Sequence, residues 1–240
     1  MLVDDMSFGA TPGEVIGVLG PNGAGKSTML RALAGLIPFQ GSVALGGRQM
    51  TAMTLREQAR ARVFLAQDGE VHWPLRVQAV VALGRHAFGD ADVPSGREAI
   101  VRAMKTTNLD SLADTGMEHL SGGERARVML ARALAAETPI LLADEPGAQL
   151  DPHYHHQVLQ ALRDYAKMGR IVILVLHDLT MAARLCDRVL VIARGQLQAD
   201  GPPDVVLTPN LCREVFGINV WRGMAGGQLA IVPLGAATPI

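Results

Sequence analysis

The sequence predicts an α/β fold with a mostly parallel sheet, and three observations predict it. Apolar runs of strand length alternate with segments of helical spacing along the chain, the pattern of β-α units. The run Val15-Ile16-Gly17-Val18-Leu19 leads into a glycine-rich loop, and Met29, Leu30, Leu33 and Leu36 follow at helical spacing. Of the 240 residues, 49% are hydrophobic and only 4% aromatic, so the core is aliphatic, as a buried parallel sheet covered by helices requires.

The elements follow in order. Thr11-Pro12-Gly13-Glu14 is a turn into the first clear strand, 15–19. The loop after it, Gly20-Pro21-Asn22-Gly23-Ala24-Gly25-Lys26-Ser27-Thr28, fits the P-loop pattern G-x-x-x-x-G-K-[ST]. Its glycines let the backbone turn tightly and approach a ligand with no Cβ in the way. Its N–H groups point outward at a helix N-terminus, where the dipole favours anions. The helix runs to Gly35 and Pro38, which stop it. Residues 40–48 read as a strand and turn with a hairpin-type Gly46-Gly47, and Arg62-Val63-Phe64-Leu65-Ala66 reads as a strand ending at Gln67.

From about 68 to 136 the texture is helical. Val77, Val80 and Val81 make an apolar stripe that ends at Gly84. The run 89–94 is loop. Ser95 with Glu98 has capping-box spacing and is expected to start a helix that turns Ile100, Ala103 and Met104 inward. Ser121 with Glu124 is a second capping box, and its helix continues through Val128 to Leu134. Ile140-Leu141-Leu142-Ala143 is a strand ending in Asp144-Glu145-Pro146, and a helix over 153–168 follows. Ile171 to Leu176 is a strand that stops at His177. A short helix then leads to the strand Val189-Leu190-Val191-Ile192 and a turn at Gly195. The stretch 218–240 is apolar and glycine-rich, with Gly226-Gly227 as its hairpin turn.

Composition bounds the function. The formal net charge is −1, which gives no nucleic-acid footprint. No apolar run reaches the roughly 18 residues of a membrane span, and no charged and then apolar segment opens the chain as a secretion signal. Cys186 and Cys212 lie far apart, so no disulfide framework is implied and reduced thiols in a cytoplasm are the default.

Three further stretches carry chemistry. Asp144 and Glu145 close an apolar strand downstream of the P-loop. Alone they would be an ordinary acidic turn, but with a P-loop one carboxylate can hold Mg²⁺ and the other can orient or deprotonate an attacking water. Lying adjacent on a strand, they are expected to point to opposite sides. Leu120-Ser121-Gly122-Gly123-Glu124 is a second anion site: a serine cap, two glycines and a helix N-terminus with free N–H groups. One subunit does not need two phosphate sites for one nucleotide, so the second is expected to serve the nucleotide of another subunit. A helix cap alone accounts for Ser121 and Glu124 but not for both glycines. His153, Tyr154, His155 and His156 look metal-like, but a solvated helix start is favoured over a zinc site, because the adjacent His155 and His156 do not share a helix face.

These motifs resemble those of the ATP-binding cassette (ABC) family, over nearly the whole chain. Six stand in the family's order: residues 20–27, Gln67, the signature 120–124, the strand and acids 140–145, Leu150-Asp151, and His177. Within the family, residues 70–77, Leu83-Gly84-Arg85, Asp187-Arg188-Val189 and 201–209 are similar to the subgroup that imports iron-siderophores, haem and cobalamin. The resemblance implies a P-loop NTPase fold of the ABC type in one domain over 1–240: a mostly parallel core sheet, an antiparallel β subdomain and a helical subdomain inserted at about 68–136. It also implies an ATPase subunit of an importer, cytoplasmic and peripheral on the inner face of the membrane. Such a subunit dimerises around two MgATP and drives a separate membrane permease fed by a solute-binding protein, with no nucleic acid involved.

The roles implied residue by residue are these. Gly20, Pro21, Asn22, Gly23, Ala24, Gly25, Lys26, Ser27 and Thr28 hold the phosphates. Ser27, Gln67 and Asp144 coordinate Mg²⁺, directly or through water. Glu145 is the general base, and His177 contacts the γ-phosphate. Ser121, Gly122 and Gly123 bind the partner's ATP in trans, and Asp151 communicates between the two sites. The helical region after Gln67 transmits closure to the permease, with Trp73 either packing there or touching that partner. The alternative is a soluble ABC ATPase of translation or DNA repair, which usually carries two cassettes or a long coiled-coil insertion. A module without turnover would lack Glu145.

Two departures stand out. Pro146-Gly147-Ala148-Gln149 replaces the family's usual Thr-Ser-Ala stretch, while Leu150-Asp151 is intact. Family members also usually carry two strands and an adenine-stacking aromatic before the P-loop, whereas Lys26 lies only 25 positions after Met1. The expectation is weak ATP binding, poor discrimination against GTP and a bare sheet edge, unless Phe8 or Phe39 takes the stacking role.

Overall fold

A computed structural model describes residues 3–67, 74–147 and 150–237. Trp73, and Ala148 and Gln149 of the departing stretch, lie outside the described residues. Strand β1 (Val15–Leu19) feeds the loop and helix α1 (Lys26–Leu33). The turn before β1 is closed by Glu14, whose carboxylate accepts the Thr11 N–H and hydroxyl. Helix α1 ends sooner than its apolar spacing predicts: Gly35, at φ 71°, follows its last turn, and Leu36 is left exposed. Hairpin strands β2 (Ala44–Leu45) and β3 (Arg48–Gln49) flank Gly46-Gly47, both at positive φ.

Next comes a helix that the sequence reading did not contain, α2 (Leu55–Ala61). Thr54 and Glu57 form its capping box, with Thr54 Oγ1 accepting the Glu57 N–H and the Glu57 carboxylate accepting the Thr54 N–H at 2.8 Å. Strand β4 (Arg62–Leu65) follows. Arg62 is buried and donates to Ala34 O at the C-terminus of α1 and to Gln58 Oε1, both at 2.9 Å. A cation there satisfies a carbonyl that the helix leaves unpaired.

The helical region holds α3 (Val77–Ala82), α4 (Pro94–Thr106) and α5 (Gly122–Ala135). The stripe Val77, Val80, Val81 is fully buried. The predicted Ser95–Glu98 cap is not made. Helix α4 starts two residues earlier than that cap would place it, at Pro94, with Val93 as its cap and no side-chain capping bond. Proline is pre-organised for the first helical position, so Ser95 already lies inside the helix. The Ser121–Glu124 capping box on α5 is complete.

The remaining elements are β5 (Ile140–Asp144), α6 (Pro152–Lys167), β6 (Ile171–Val175), α7 (Leu179–Leu185), β7 (Arg188–Ala193), β8 (Gln196–Gly201), α8 (Pro203–Val206), α9 (Pro209–Phe216), β9 (Ile218–Ala225) and β10 (Gln228–Ala236). Helix α6 sits one residue upstream of its expected range. Gly226-Gly227 turns the β9–β10 hairpin at φ 60° and 77°.

The main sheet has six strands in the order β4-β5-β6-β1-β7-β8. All pairs are parallel except β7–β8. Side chains alternate between its two faces. Val15, Leu19, Leu141, Ala143, Val172 and Leu174 enter the core beneath α5 and α6, whereas Ile16, Val18, Leu142, Ile173 and Val175 pack with Met29 and Leu30 of α1. Burial on both faces is why these strands read as unbroken aliphatic runs. Each of the buried Val, Leu, Ile and Met side chains contributes about 1.5–3 kcal/mol. Among the described residues no helix is long and apolar enough to cross a membrane. Cys186 and Cys212 are both buried, and burial pushes the Cys186 thiol up to about 12.

Candidate functional site

Parallel strands with a common direction end at a common edge. Gln67 follows β4, Asp144 ends β5, His177 follows β6 and the P-loop follows β1. The order β4-β5-β6-β1 therefore brings to one rim groups that are up to 157 positions apart in sequence. Ligands of open α/β sheets bind at the C-terminal ends of strands.

The loop is shaped by contact with its neighbours. A Cβ on Gly20 (φ 151°) would lie 2.0 Å from the Ile192 carbonyl oxygen of β7. Gly25 stands before α1 at φ 101°, a conformation that side-chain-bearing residues rarely adopt. Ala24 is buried, its N–H donates to Pro21 O, and its carbonyl accepts from Gly195. Asn22 and Gly23 are exposed at the tip, Pro21 and Thr28 are half-buried, and nothing lies within 4 Å of a Cβ built on Gly23. Lys26 is only 6% exposed and donates to Gly20 O at 2.7 Å and Pro21 O at 3.0 Å. Burial lowers its pKa from the usual lysine value, and the nearby Glu145 and Asp144 charges oppose that shift.

Asp144 is buried and accepts the Ser27 hydroxyl at 2.9 Å. Burial raises its carboxyl above the ordinary range. The Ser27 hydrogen bond lowers it, and the adjacent Glu145 charge raises it further. Glu145 does not continue the strand as expected. Its φ of 49° places it in the left-handed region. There its two oxygens have separate partners: Gln67 Nε2 donates to Oε2 at 2.8 Å, and His177 Nε2 contacts Oε1. Gln67 and His177 are themselves exposed. The structure thus brings together Lys26, Ser27, Gln67, Asp144, Glu145 and His177.

The residues expected to act in trans stand apart. No hydrogen bond among the described residues joins Ser121, Gly122, Gly123 or Asp151 to that cluster. Ser121 and Gly122 lie exposed at the N-terminus of α5, and nothing is within 4 Å of a Cβ built on Gly122. Asp151 caps α6, accepting the His153 and Tyr154 N–H groups at 3.0 and 3.2 Å. The two helix starts touch, since a Cβ on Gly123 would meet Leu150 Cδ2 at 3.3 Å. Deeper in, the Arg127 guanidinium of α5 lies 4.5 Å over the Tyr154 ring of α6. His153 is taken up by a hydrogen bond to Gln157.

Sequence reasoning missed several partners. Arg85 is buried rather than available at the surface. It pairs with Asp90 and donates to Ala135 O and Ala136 O at the C-terminus of α5. Thr180, three residues after His177, bonds to Ile231 of the C-terminal hairpin. Phe8 packs half-buried on the core beneath α1, and Phe39 is half-buried.

A glycine loop closing on a buried lysine at the end of a central parallel strand, with a hydroxyl–carboxylate pair beside it, defines a P-loop nucleotide-binding protein. The chain belongs to the ABC transporter family, whose profile matches residues 3–148. It is 43% identical over 227 residues to the hemin import ATP-binding protein HmuV of Pseudomonas entomophila, a match covering 91% of this chain and 88% of that relative. It is 40% identical over 238 residues to the cobalamin import ATP-binding protein BtuD of Halobacterium salinarum, covering 97% of this chain. The chain spans 60% of the length of that second relative. Among solved structures it is similar to a dimeric ATP-binding cassette in a post-hydrolysis state with ADP and Pi, with TM-score 0.76 and 26% identity over 84% of this chain and 90% of the other.

Proposed function

We propose that the chain is a single nucleotide-binding domain that hydrolyses ATP to power an importer of a metal chelate such as haem or an iron-siderophore, or of cobalamin. It works as a dimer on the cytoplasmic face of the membrane, against a separate permease that receives solute from a binding protein. The observation that carries this reading is the convergence of Gln67, Glu145 and His177 beside Lys26, Ser27 and Asp144. The import substrates are those of the hemin and cobalamin relatives.

In this reading the phosphates are held by backbone N–H groups of the loop 20–28, other than that of Ala24, which is bonded to Pro21 O. Lys26 exchanges its loop carbonyls for β- and γ-phosphate oxygens, its burial making a charged partner favourable. The donor set suits magnesium: a hydroxyl and a carboxylate, both hard oxygens, 2.9 Å apart and reached from two elements. Ser27 and Asp144 would hold the ion, with Gln67 reaching it directly or through water. Bound with the nucleotide, magnesium supplies charge neutralisation at the phosphates. Glu145 takes a proton from the water that attacks the γ-phosphorus in line, and the bond to the ADP oxygen breaks. His177 contacts the γ-phosphate and orients Glu145. Ser121, Gly122 and Gly123 of the second copy close on the same γ-phosphate, and Asp151 links the two sites. The test is hydrolysis by Glu145→Gln together with co-purification of a polytopic membrane protein. Native turnover in the variant removes the base, and a chain that never associates with a permease removes the importer.

A further inference from the structure

We propose that the β9–β10 hairpin is a brace for the segment around His177, and that Thr180 is the positioning residue through which it holds His177. The hairpin is a two-stranded sheet separate from the main one. Two strands alone are marginal in water, so the hairpin owes its order to what it packs on. One face, with Ile218, Val220, Leu229 and Ile231, enters the core against α7 and α9. On the other, Trp221 lies over Gly223, where a Cβ would come within 2.5 Å of the indole, and Ala230 beside it is buried.

The link to α7 uses one side chain twice. Thr180 Oγ1 donates to Ile231 O at 2.8 Å and accepts from Ile231 N at 3.0 Å. Ile231 is 1% exposed, so these backbone groups have no water to turn to, and leaving them unpaired is costly. A hydroxyl is the smallest group that both donates and accepts. Thr180 therefore completes the outer edge of β10 as a neighbouring strand would.

The position of Thr180 gives the link its consequence. Upstream of His177, the Leu176 N–H donates to Val18 O and fixes the chain to β1. Downstream, Asp178 caps α7 by accepting the Met181 N–H at 2.9 Å, which shapes the helix start but does not place it. Leu179 and Ala182 are buried, and Thr180 ties the first turn to the hairpin. His177 is thus suspended between a sheet anchor and a hairpin anchor, and its contact with Glu145 depends on both.

The inference rests on the reading of His177 as the γ-phosphate contact. The test is steady-state ATP hydrolysis by the full chain. Thr180→Val keeps the shape and removes both bonds, whereas Thr180→Ser keeps the hydroxyl. Thr180→Val is expected to lower kcat about tenfold with KM for ATP nearly unchanged, a displacement of the reacting groups rather than a binding defect. Thr180→Ser is expected to hold both values. In a His177→Ala background, Thr180→Val is expected to add no further loss, because the two changes act through one group. Native kcat in Thr180→Val overturns the proposal. So does an equal loss in the His177→Ala background, or a Thr180→Val chain that does not fold, since Thr180 would then support the fold as a whole. A native rate in His177→Ala alone overturns the underlying reading instead.

Discussion

Ser27 donates its hydroxyl to Asp144 across 2.9 Å, joining residues 117 positions apart on α1 and at the end of β5. One hydrogen bond from a hydroxyl does not compensate a buried charge. In the function proposed above, a cation held between Ser27 and Asp144 would add to the compensation that the nearby Lys26 and Arg31 charges give.

The first prediction concerns that charge. Burial holds the Asp144 carboxyl above its ordinary 3.8. Below that value both folded and unfolded chains are protonated there and nothing is lost. As pH rises through the raised value, the unfolded chain ionises freely and the folded chain does so at a cost, so stability falls. Asp144→Asn mimics the protonated form. Nucleotide-free, it should melt above the native protein at neutral pH, with the gap closing on acidification. It should also lose the stabilisation by Mg·ATP. Thermal melts across the pH range check this, and a neutral-pH midpoint below the native one sinks it.

Glu145 gives the second. Both its oxygens are engaged, by Gln67 and His177, and glutamine fills the same volume. Glu145→Gln should bind ATP normally while turnover falls by about two to four orders of magnitude, the range for a lost general base. The trapped nucleotide should hold a dimer visible by size-exclusion chromatography. A monomer under saturating ATP argues against a dimer closed around two nucleotides.

Much of this site was legible in sequence, for reasons the structure makes plain. Buried parallel strands must be aliphatic runs, and the groups at their ends sit at one rim whatever their separation. Residues 20–28 were readable from the P-loop pattern, and Asp144 and Glu145 from a strand end downstream of it, whereas Gln67 and His177 were marked by the family resemblance. Local signals failed where two of them competed: Pro94 starts α4 and overrides Ser95. The Thr54–Glu57 box was present and went unread because the helix it starts, α2, has no fully buried residue and so no apolar stripe. Thr180 with Ile231 and Arg85 with Ala135 carry no local signature, since a side chain bonding a backbone group 50 or 51 positions away can be any donor.

Arg85 sets the third prediction. We expect the region 68–89 to dock the permease, yet Arg85 is buried against the end of α5 and cannot reach a partner. A photo-cross-linker at the exposed Leu83 should capture the membrane subunit in the assembled complex, whereas one at Arg85 should not. Arg85→Met should instead unpair Asp90 and two carbonyls, costing about 1–3 kcal/mol. In a chain of this size that lowers the thermal midpoint by about 2–4 °C per kcal/mol. Capture from 218–236 alone places the docking surface elsewhere.

Gly122 provides the last test, and the structure sharpens it. A side chain at Gly122 meets nothing within 4 Å in the single chain, and the residue is exposed at the start of α5. A carboxylate at a helix N-terminus is locally favourable, by about 0.3–1 kcal/mol. Gly122→Asp should therefore leave the thermal midpoint unchanged or slightly raised, and monomer affinity for ATP intact. If the glycine faces the γ-phosphate of a second copy, the same carboxylate opposes that phosphate across a dry interface, and turnover should be lost along with the ATP-dependent dimer. The two effects have opposite signs, so a general folding defect cannot imitate the result. Isothermal titration, melting and hydrolysis on one preparation separate them. Loss of ATP affinity in the monomer places the signature in cis, and full turnover leaves it a helix cap.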